Sequence, residues 1–124
     1  MSQPPLIPES EWKVMKVLWT HSPLSASEII AALSHTEDWH PNTIKTLLSR
    51  LHKKKVVGVE KQKNLYLYRP LVSEADCVRT ESESFLQRVF GGAVKPLLMH
   101  FAQQRKLSSE DLEELRKVLK QKQK

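Results

Sequence analysis

The chain has 124 residues, a single cysteine and a formal net charge of +6, which suits one compact domain or a small domain with an appendage. Cys77 alone excludes an internal disulfide and a cysteine-cluster metal site within one chain. No apolar run approaches the roughly 20 residues that cross a bilayer, and Met1-Ser2-Gln3-Pro4-Pro5 is no signal peptide, so a reduced, cytoplasmic setting is expected.

Residues 1–8 carry three of the seven prolines and read as an extended or disordered arm. A first helix is predicted over about residues 9–21, with Trp12, Val14, Met15, Leu18 and Trp19 at helical spacing, Ser10 as a candidate cap and Ser22-Pro23 ending it. Ser25-Ala26-Ser27-Glu28 is a capping-box pattern, and the helix behind it buries Ile29, Ile30 and Leu33. Thr36-Glu37-Asp38-Trp39 makes a polar connection with one anchoring aromatic. Pro41 then suits the first position of a third helix, where its missing N–H costs nothing.

That third helix, running to Lys54, places Ile44, Leu47, Leu48 and Leu51 on one stripe that must face a core. Its other face carries Asn42, Thr43, Lys45, Thr46, Ser49, Arg50 and Lys53 and no carboxylate. Such a face can donate to phosphates and to purine edges. Lys45 and Arg50 are the leading candidates for base or phosphate contact, because Arg addresses guanine in bidentate fashion while Lys acts as a point charge. Thr43 and Thr46 are short enough to reach bases or a thymine methyl, and Asn42 suits a phosphate near the helix start. Lys53, Lys54 and Lys55 read as long-range electrostatics. Three short helices in quick succession, the third polar outside, form a helix-turn-helix arrangement.

After Lys55 the period changes. Val56–Glu60 and Leu65–Arg69 are rich in β-branched and aromatic residues and flank Lys61-Gln62-Lys63-Asn64, a hairpin turn. A hairpin directly after a recognition helix is the winged variant, with Lys61, Lys63 and Asn64 at a tip that would meet the DNA backbone or minor groove beside the helix. From His40 to Pro70 there are eight Lys or Arg against one acid, Glu60, so this stretch carries +7 while the whole chain carries +6. Charge so concentrated points to a polyanion-binding surface.

The texture changes again from Ser73. Glu74–Phe90 is helical and polar, closed by Gly91-Gly92. A second helix sets Val94, Leu97, Leu98 and Phe101 at i, i+3, i+4 and i+7, with Pro96 confined to its first turn. Ser108-Ser109-Glu110-Asp111 caps a last helix bearing Leu112, Leu115, Val118 and Leu119 on one side. Three helices of this size make a poor core of their own. Their stripes suit a second copy of the chain, with Val94, Leu97, Leu98, Phe101, Leu112, Leu115 and Leu119 as the pairing residues.

These residues resemble a known family. Glu11-Trp12-Lys13-Val14-Met15-Lys16-Val17-Leu18-Trp19 is similar to the opening signature of the penicillinase repressors, the BlaI/MecI/CopY type of winged-helix regulator. Trp39-x-Pro41-x-Thr43-Ile44-Lys45-Thr46-Leu47-Leu48-x-Arg50-Leu51 resembles that family's recognition helix, and Tyr66-x-Tyr68-x-Pro70-Leu71-Val72 its wing exit. Gly91-Gly92, Leu97-Leu98-x-x-Phe101 and Leu107-Ser108-x-x-Asp111-Leu112-Glu113-Glu114-Leu115 resemble its dimerisation region. The resemblance covers about residues 9–119 in collinear blocks. It implies a homodimeric transcriptional repressor on a palindromic operator, lost from DNA by cleavage after a membrane sensor detects a β-lactam. Three departures stand out. Lys55 occupies the place of the usual glycine after the recognition helix, so the left-handed cap is strained or the helix ends otherwise. The paired Cys-x-Cys motifs of copper-responsive members are absent, and the usual Asn-Phe cleavage junction is His100-Phe101 here.

The expected fold is mainly α: a winged helix-turn-helix of three helices and a β-hairpin in residues 1–72, then a helical dimerisation region in residues 73–124. Expected partners are double-stranded DNA and a second copy, with a membrane sensor or protease as an indirect one. No cofactor, metal or small-molecule substrate is expected, since the five histidines lack i, i+3 or i, i+4 partners and no catalytic constellation exists. The competing reading is a protein-interaction adaptor on the same scaffold. Such modules generally lack a basic, acid-free recognition face.

Overall fold

A computed structural model describes residues 4–121. The elements run α1 (Glu9–Thr20), β1 (Leu24–Ser25), α2 (Ala26–Leu33), α3 (Pro41–Lys53), β2 (Val57–Gln62), β3 (Leu65–Pro70), α4 (Glu74–Phe90), α5 (Val94–Gln103) and α6 (Ser109–Gln121). The chain forms two compact units, one ending at Ser82 and one beginning at Glu83, so α4 contributes to both.

In the first unit, the core gathers Val14, Met15 and Leu18 of α1, Ile29 and Leu33 of α2, Ile44, Leu47, Leu48 and Leu51 of α3, and Val56 and Val57 at the wing root. The stripe expected of α3 is therefore its buried face. Ile29 and Leu33 of α2 are buried, while Ile30 is only half-buried. Trp12 and Trp19 meet edge to face with ring centroids 5.5 Å apart, and Trp19 Nε1–H donates to the Val72 carbonyl at 3.0 Å. All three tryptophans pack against the core.

Two terminal details differ from expectation. Ser10 does not cap α1; Pro8 holds the cap position, with no side-chain bond. The arm contributes to the core through Ile7, which is 5% exposed, so its described part is no loose tail; residues 1–3 lie outside the described residues. The capping box of α2 is present, with Glu28 N–H donating to Ser25 Oγ and Ser25 N–H to Glu28 Oε1. Pro41 stands at the start of α3.

The sheet is three-stranded and antiparallel in the order β1-β3-β2. The hairpin pairs Val59 with Tyr68 and Lys61 with Tyr66, which narrows the turn to Lys63-Asn64. β1 pairs Leu24 with Tyr68 and Ser25 with Leu67. Two residues are too few to show a period of two, so sequence pattern does not reveal this strand.

The end of α3 resolves the Lys55 departure. Lys55 N–H bonds the His52 carbonyl at 3.0 Å and Val56 N–H the Leu51 carbonyl at 3.0 Å, with Lys55 at φ 64°. This is a Schellman motif whose left-handed position holds lysine where glycine is usual. A Cβ there costs roughly 1–2 kcal/mol, partly offset by the freedom glycine has in the unfolded chain. Lys55→Gly is therefore expected to stabilise the first unit by about 0.5–1 kcal/mol. Urea unfolding with an unmoved or lower midpoint would contradict that.

In the second unit, Gly91 and Gly92 adopt φ 60° and 88° beyond α4, where their N–H groups bond the carbonyls of Gln87 and Leu86. Asp111 N–H donates to Ser108 Oγ at 3.0 Å and Ser108 N–H to Asp111 Oδ2 at 3.1 Å, which caps α6. Neither α5 nor α6 buries a single residue. Val94, Phe101, Leu112 and Leu119 are exposed, and Leu97, Leu98 and Leu115 are half-buried. Met99 and Val118 extend the exposed apolar surface. His100 and Phe101 both lie inside α5, exposed, with ring centroids 5.4 Å apart.

Candidate nucleic-acid interface

Burial of Ile44, Leu47, Leu48 and Leu51 turns the opposite face of α3 outward. Asn42, Thr43, Lys45, Thr46, Ser49, Arg50 and Lys53 are all exposed. Among the described residues the ion pairs are Lys13–Glu37, Lys16–Glu74, Lys54–Glu11, Arg79–Asp76 and Arg116–Glu113. Lys45, Arg50, Lys53, Lys61 and Lys63 take part in none of these. Their charge is directed outward instead of being neutralised within the fold, which is what a polyanion surface requires.

The helix start is prepared for an anion too. His40 caps α3, its Nδ1 accepting the Asn42 N–H at 3.0 Å. With Nδ1 taken up as acceptor, Nε2 is the ring nitrogen left for a ligand, and the residue is exposed. No acid occupies that turn, so the positive end of the helix dipole is not offset by a side chain. Thr46 donates its hydroxyl to the Asn42 carbonyl at 3.0 Å, so its methyl and its oxygen lone pairs are what remain for a ligand.

The hairpin lies beside this face. Lys45 and Ser49 of α3, with His52, Val59, Tyr66 and Tyr68, line a shallow groove between helix and wing. Lys61, Lys63 and Asn64 are exposed at the tip, and Lys61 Nζ sits 5.8 Å from the centroid of the Tyr66 ring. The seven α3 candidates thus share one face, while the three wing candidates lie at the hairpin tip, outside the groove's lining.

Sequence reasoning missed several features of this region. His40 is invisible as a cap because histidine is seldom one, although its place directly before Pro41 was a usable signal. Tyr66, 56% exposed, lines the groove and is not only a strand-former. Lys54 does not act merely as long-range charge: Glu11, 1% exposed, holds its Nζ at 2.5 Å. Cys77 is a core residue, and burial pushes its thiol pKa up, with the Asp76 and Glu74 carboxylates adding to the rise. Such a thiol is a poor nucleophile and a poor metal ligand.

Three helices packed around one core, an outward basic third helix and a flanking hairpin define a winged helix-turn-helix protein of the DNA-binding kind. The family model of the penicillinase repressors matches residues 7–121. A penicillinase repressor of Bacillus licheniformis is 36% identical over 121 residues, 98% of this chain and 94% of that one. The methicillin resistance regulatory protein MecI of Staphylococcus aureus strain N315 is 35% identical over 116 residues, 94% of each chain. The chain belongs to the penicillinase repressor family, whose members are transcriptional repressors and not enzymes.

Among solved structures, monomeric Bacillus licheniformis BlaI in complex with the blaP half-operator matches with a TM-score of 0.55 and 41% identity, over 61% of this chain and 93% of that one. MepR, a transcription regulator of the Staphylococcus aureus multidrug efflux pump MepA, matches with a TM-score of 0.51 over 93% of this chain and 76% of its own. At 18% identity MepR shares the fold alone. Among the described residues, no helix is long and apolar enough to cross a membrane.

Proposed function

We propose that this protein is a homodimeric transcriptional repressor that binds a palindromic operator and controls genes of β-lactam resistance. The observation that carries the reading is the acid-free, outward face of α3, whose cations are unengaged within the fold beside an exposed wing. Residues 1–72 read the DNA, and residues 73–124 pair two copies in the cytoplasm. Each protomer lays α3 in the major groove, half-sites standing roughly one helical turn, about 34 Å, apart. Lys45, Arg50, Thr43 and Thr46 address bases; Asn42, Ser49, Lys53, Lys61, Lys63 and Asn64 address phosphates. An adaptor that ignores DNA has no use for five cations held clear of their own acids.

Control of resistance genes is supported by the relatives' names, which concern penicillinase and methicillin resistance, while coupling to a membrane sensor rests on the family resemblance alone. Cleavage at His100–Phe101 would require α5 to open locally, because the junction lies inside that helix.

Selection of bound duplexes from a random pool tests the proposal: a palindrome should be enriched, and no enrichment of any sequence would refute it. On that duplex, Arg50→Ala should weaken specific binding by about 1–3 kcal/mol and relax preference at its base, while Lys63→Ala lowers affinity on all sequences and flattens the salt dependence. A salt titration with both variants distinguishes the two roles, and identical behaviour would contradict the assignment.

A further inference from the structure

Two ties run from the first turns of α1, one to the C-cap of α3 and one to the connection that leads into α3. Glu11, nine-tenths and more buried, holds Lys54 Nζ at 2.5 Å, and Lys54 is the residue that closes α3. Two residues along, Lys13 Nζ lies 3.0 Å from Glu37 Oε1 and 5.8 Å from the centroid of the Trp39 ring, in the connection that leads into α3. Thirteen residues of helix span about 20 Å. A rod held at one end can pivot, whereas one whose entering chain is also held has its direction set. We propose that Glu11 and Lys13 are positioning residues for DNA recognition: α1 sets the pose of α3, and through Lys54 the origin of the wing.

Stability alone does not account for the Glu11–Lys54 pair. Moving a carboxylate out of water costs several kcal/mol, and an apolar pair of similar volume often serves as well or better. Affinity does not account for it either, because a carboxylate beside a strip carrying +7 lowers the attraction for phosphate. What an ion pair supplies is direction, since it specifies where the Lys54 ammonium must lie. Lys54 immediately precedes the left-handed Lys55, and Val56 and Val57 then enter the core to start the hairpin. A shift at Lys54 therefore reaches both halves of the interface.

This inference rests on the DNA-binding reading, and its test separates the two. The full-length protein is titrated with the palindrome it enriches from a random pool and with a scrambled duplex of the same composition. Glu11→Gln preserves shape but removes one negative charge, so electrostatics predicts tighter binding to both duplexes. Positioning predicts the opposite sign on one of them: affinity for the palindrome falls by about tenfold while that for the scrambled duplex holds or rises. Lys54→Gln should lose the same discrimination, and the double variant should be no worse than the poorer single one, because both break one contact. Lys13→Gln acts at a part-exposed site where folding is not at stake, and it should also lower the palindrome-to-scrambled ratio. Equal losses on both duplexes, or tighter binding to both with Glu11→Gln, would overturn the inference while leaving the DNA reading intact. A parent protein that enriches no duplex would end both.

Discussion

Replacing Leu112 and Leu119 with glutamate is expected to turn the protein into a monomer and to lower its affinity for a full palindrome by about 10²–10⁴-fold. Both side chains are exposed on α6, so their replacement removes little from the core of the folded chain. They stand two turns apart on one side of the helix with the half-buried Leu115 between them, and no described residue of α5 or α6 is buried. Apolar surface so concentrated is unfavourable in water and signals a partner. Pairing makes the second half-site interaction intramolecular, which is why losing it outweighs the loss of any single contact. Sedimentation equilibrium reports the monomer, and titration of full and half palindromes reports the coupling. Affinity for a single half-site should be preserved. A variant that stays dimeric, or a monomer that binds the palindrome as tightly as the parent, would show that these helices do not provide the pairing.

The second large effect is on stability. Leu51→Ala should destabilise the first unit by about 3–4 kcal/mol, within the range for a leucine removed from a filled core. Leu51 is 0% exposed in the last turn of α3, in the same cluster as Met15, Leu18 and Val56. The loss combines the transfer free energy of the missing methyl groups with the cavity left behind, and the surrounding helices are too well filled to collapse into it. Such a cost is a large share of the 5–15 kcal/mol typical of a folded domain. Arg50, its immediate neighbour, points outward, and Arg50→Ala should leave the unfolding midpoint nearly unmoved while impairing DNA recognition. Urea denaturation followed by circular dichroism separates the two. A loss under 1 kcal/mol for Leu51→Ala would mean that the core beneath α3 is not packed as described.

Much of the fold is legible in the residues because its signals are local and strong. The capping box at Ser25 and Glu28, Pro41 at a helix start and Gly91-Gly92 at a helix end each act within a few residues of themselves. The outer face of α3 is legible for the same reason: the buried stripe of Ile44, Leu47, Leu48 and Leu51 leaves Arg50 and Lys45 nowhere to go but outward. Less visible are features whose partners are distant in the chain. β1 exists because β3 lies beside it, although Leu24 pairs with Tyr68 and Ser25 with Leu67, far along the chain. Ile7 of the arm and Cys77 of α4 belong to the core formed by α1, α2 and α3, so their burial depends on elements other than their own.

The order of elements, the buried stripe of the third helix, the concentration of positive charge and the family are properties of the residues themselves, since periodicity and composition are written along the chain. Which lysine stays clear of the fold's own acids and which one meets Glu11 is not. Lys53, Lys54 and Lys55 are equivalent as text and all exposed, yet one takes part in none of the ion pairs among the described residues, one reaches a buried carboxylate and one turns the backbone through φ 64°. Only the approach of α1 to the end of α3 separates them, because a charge is assigned its role by what stands within a few ångströms in space.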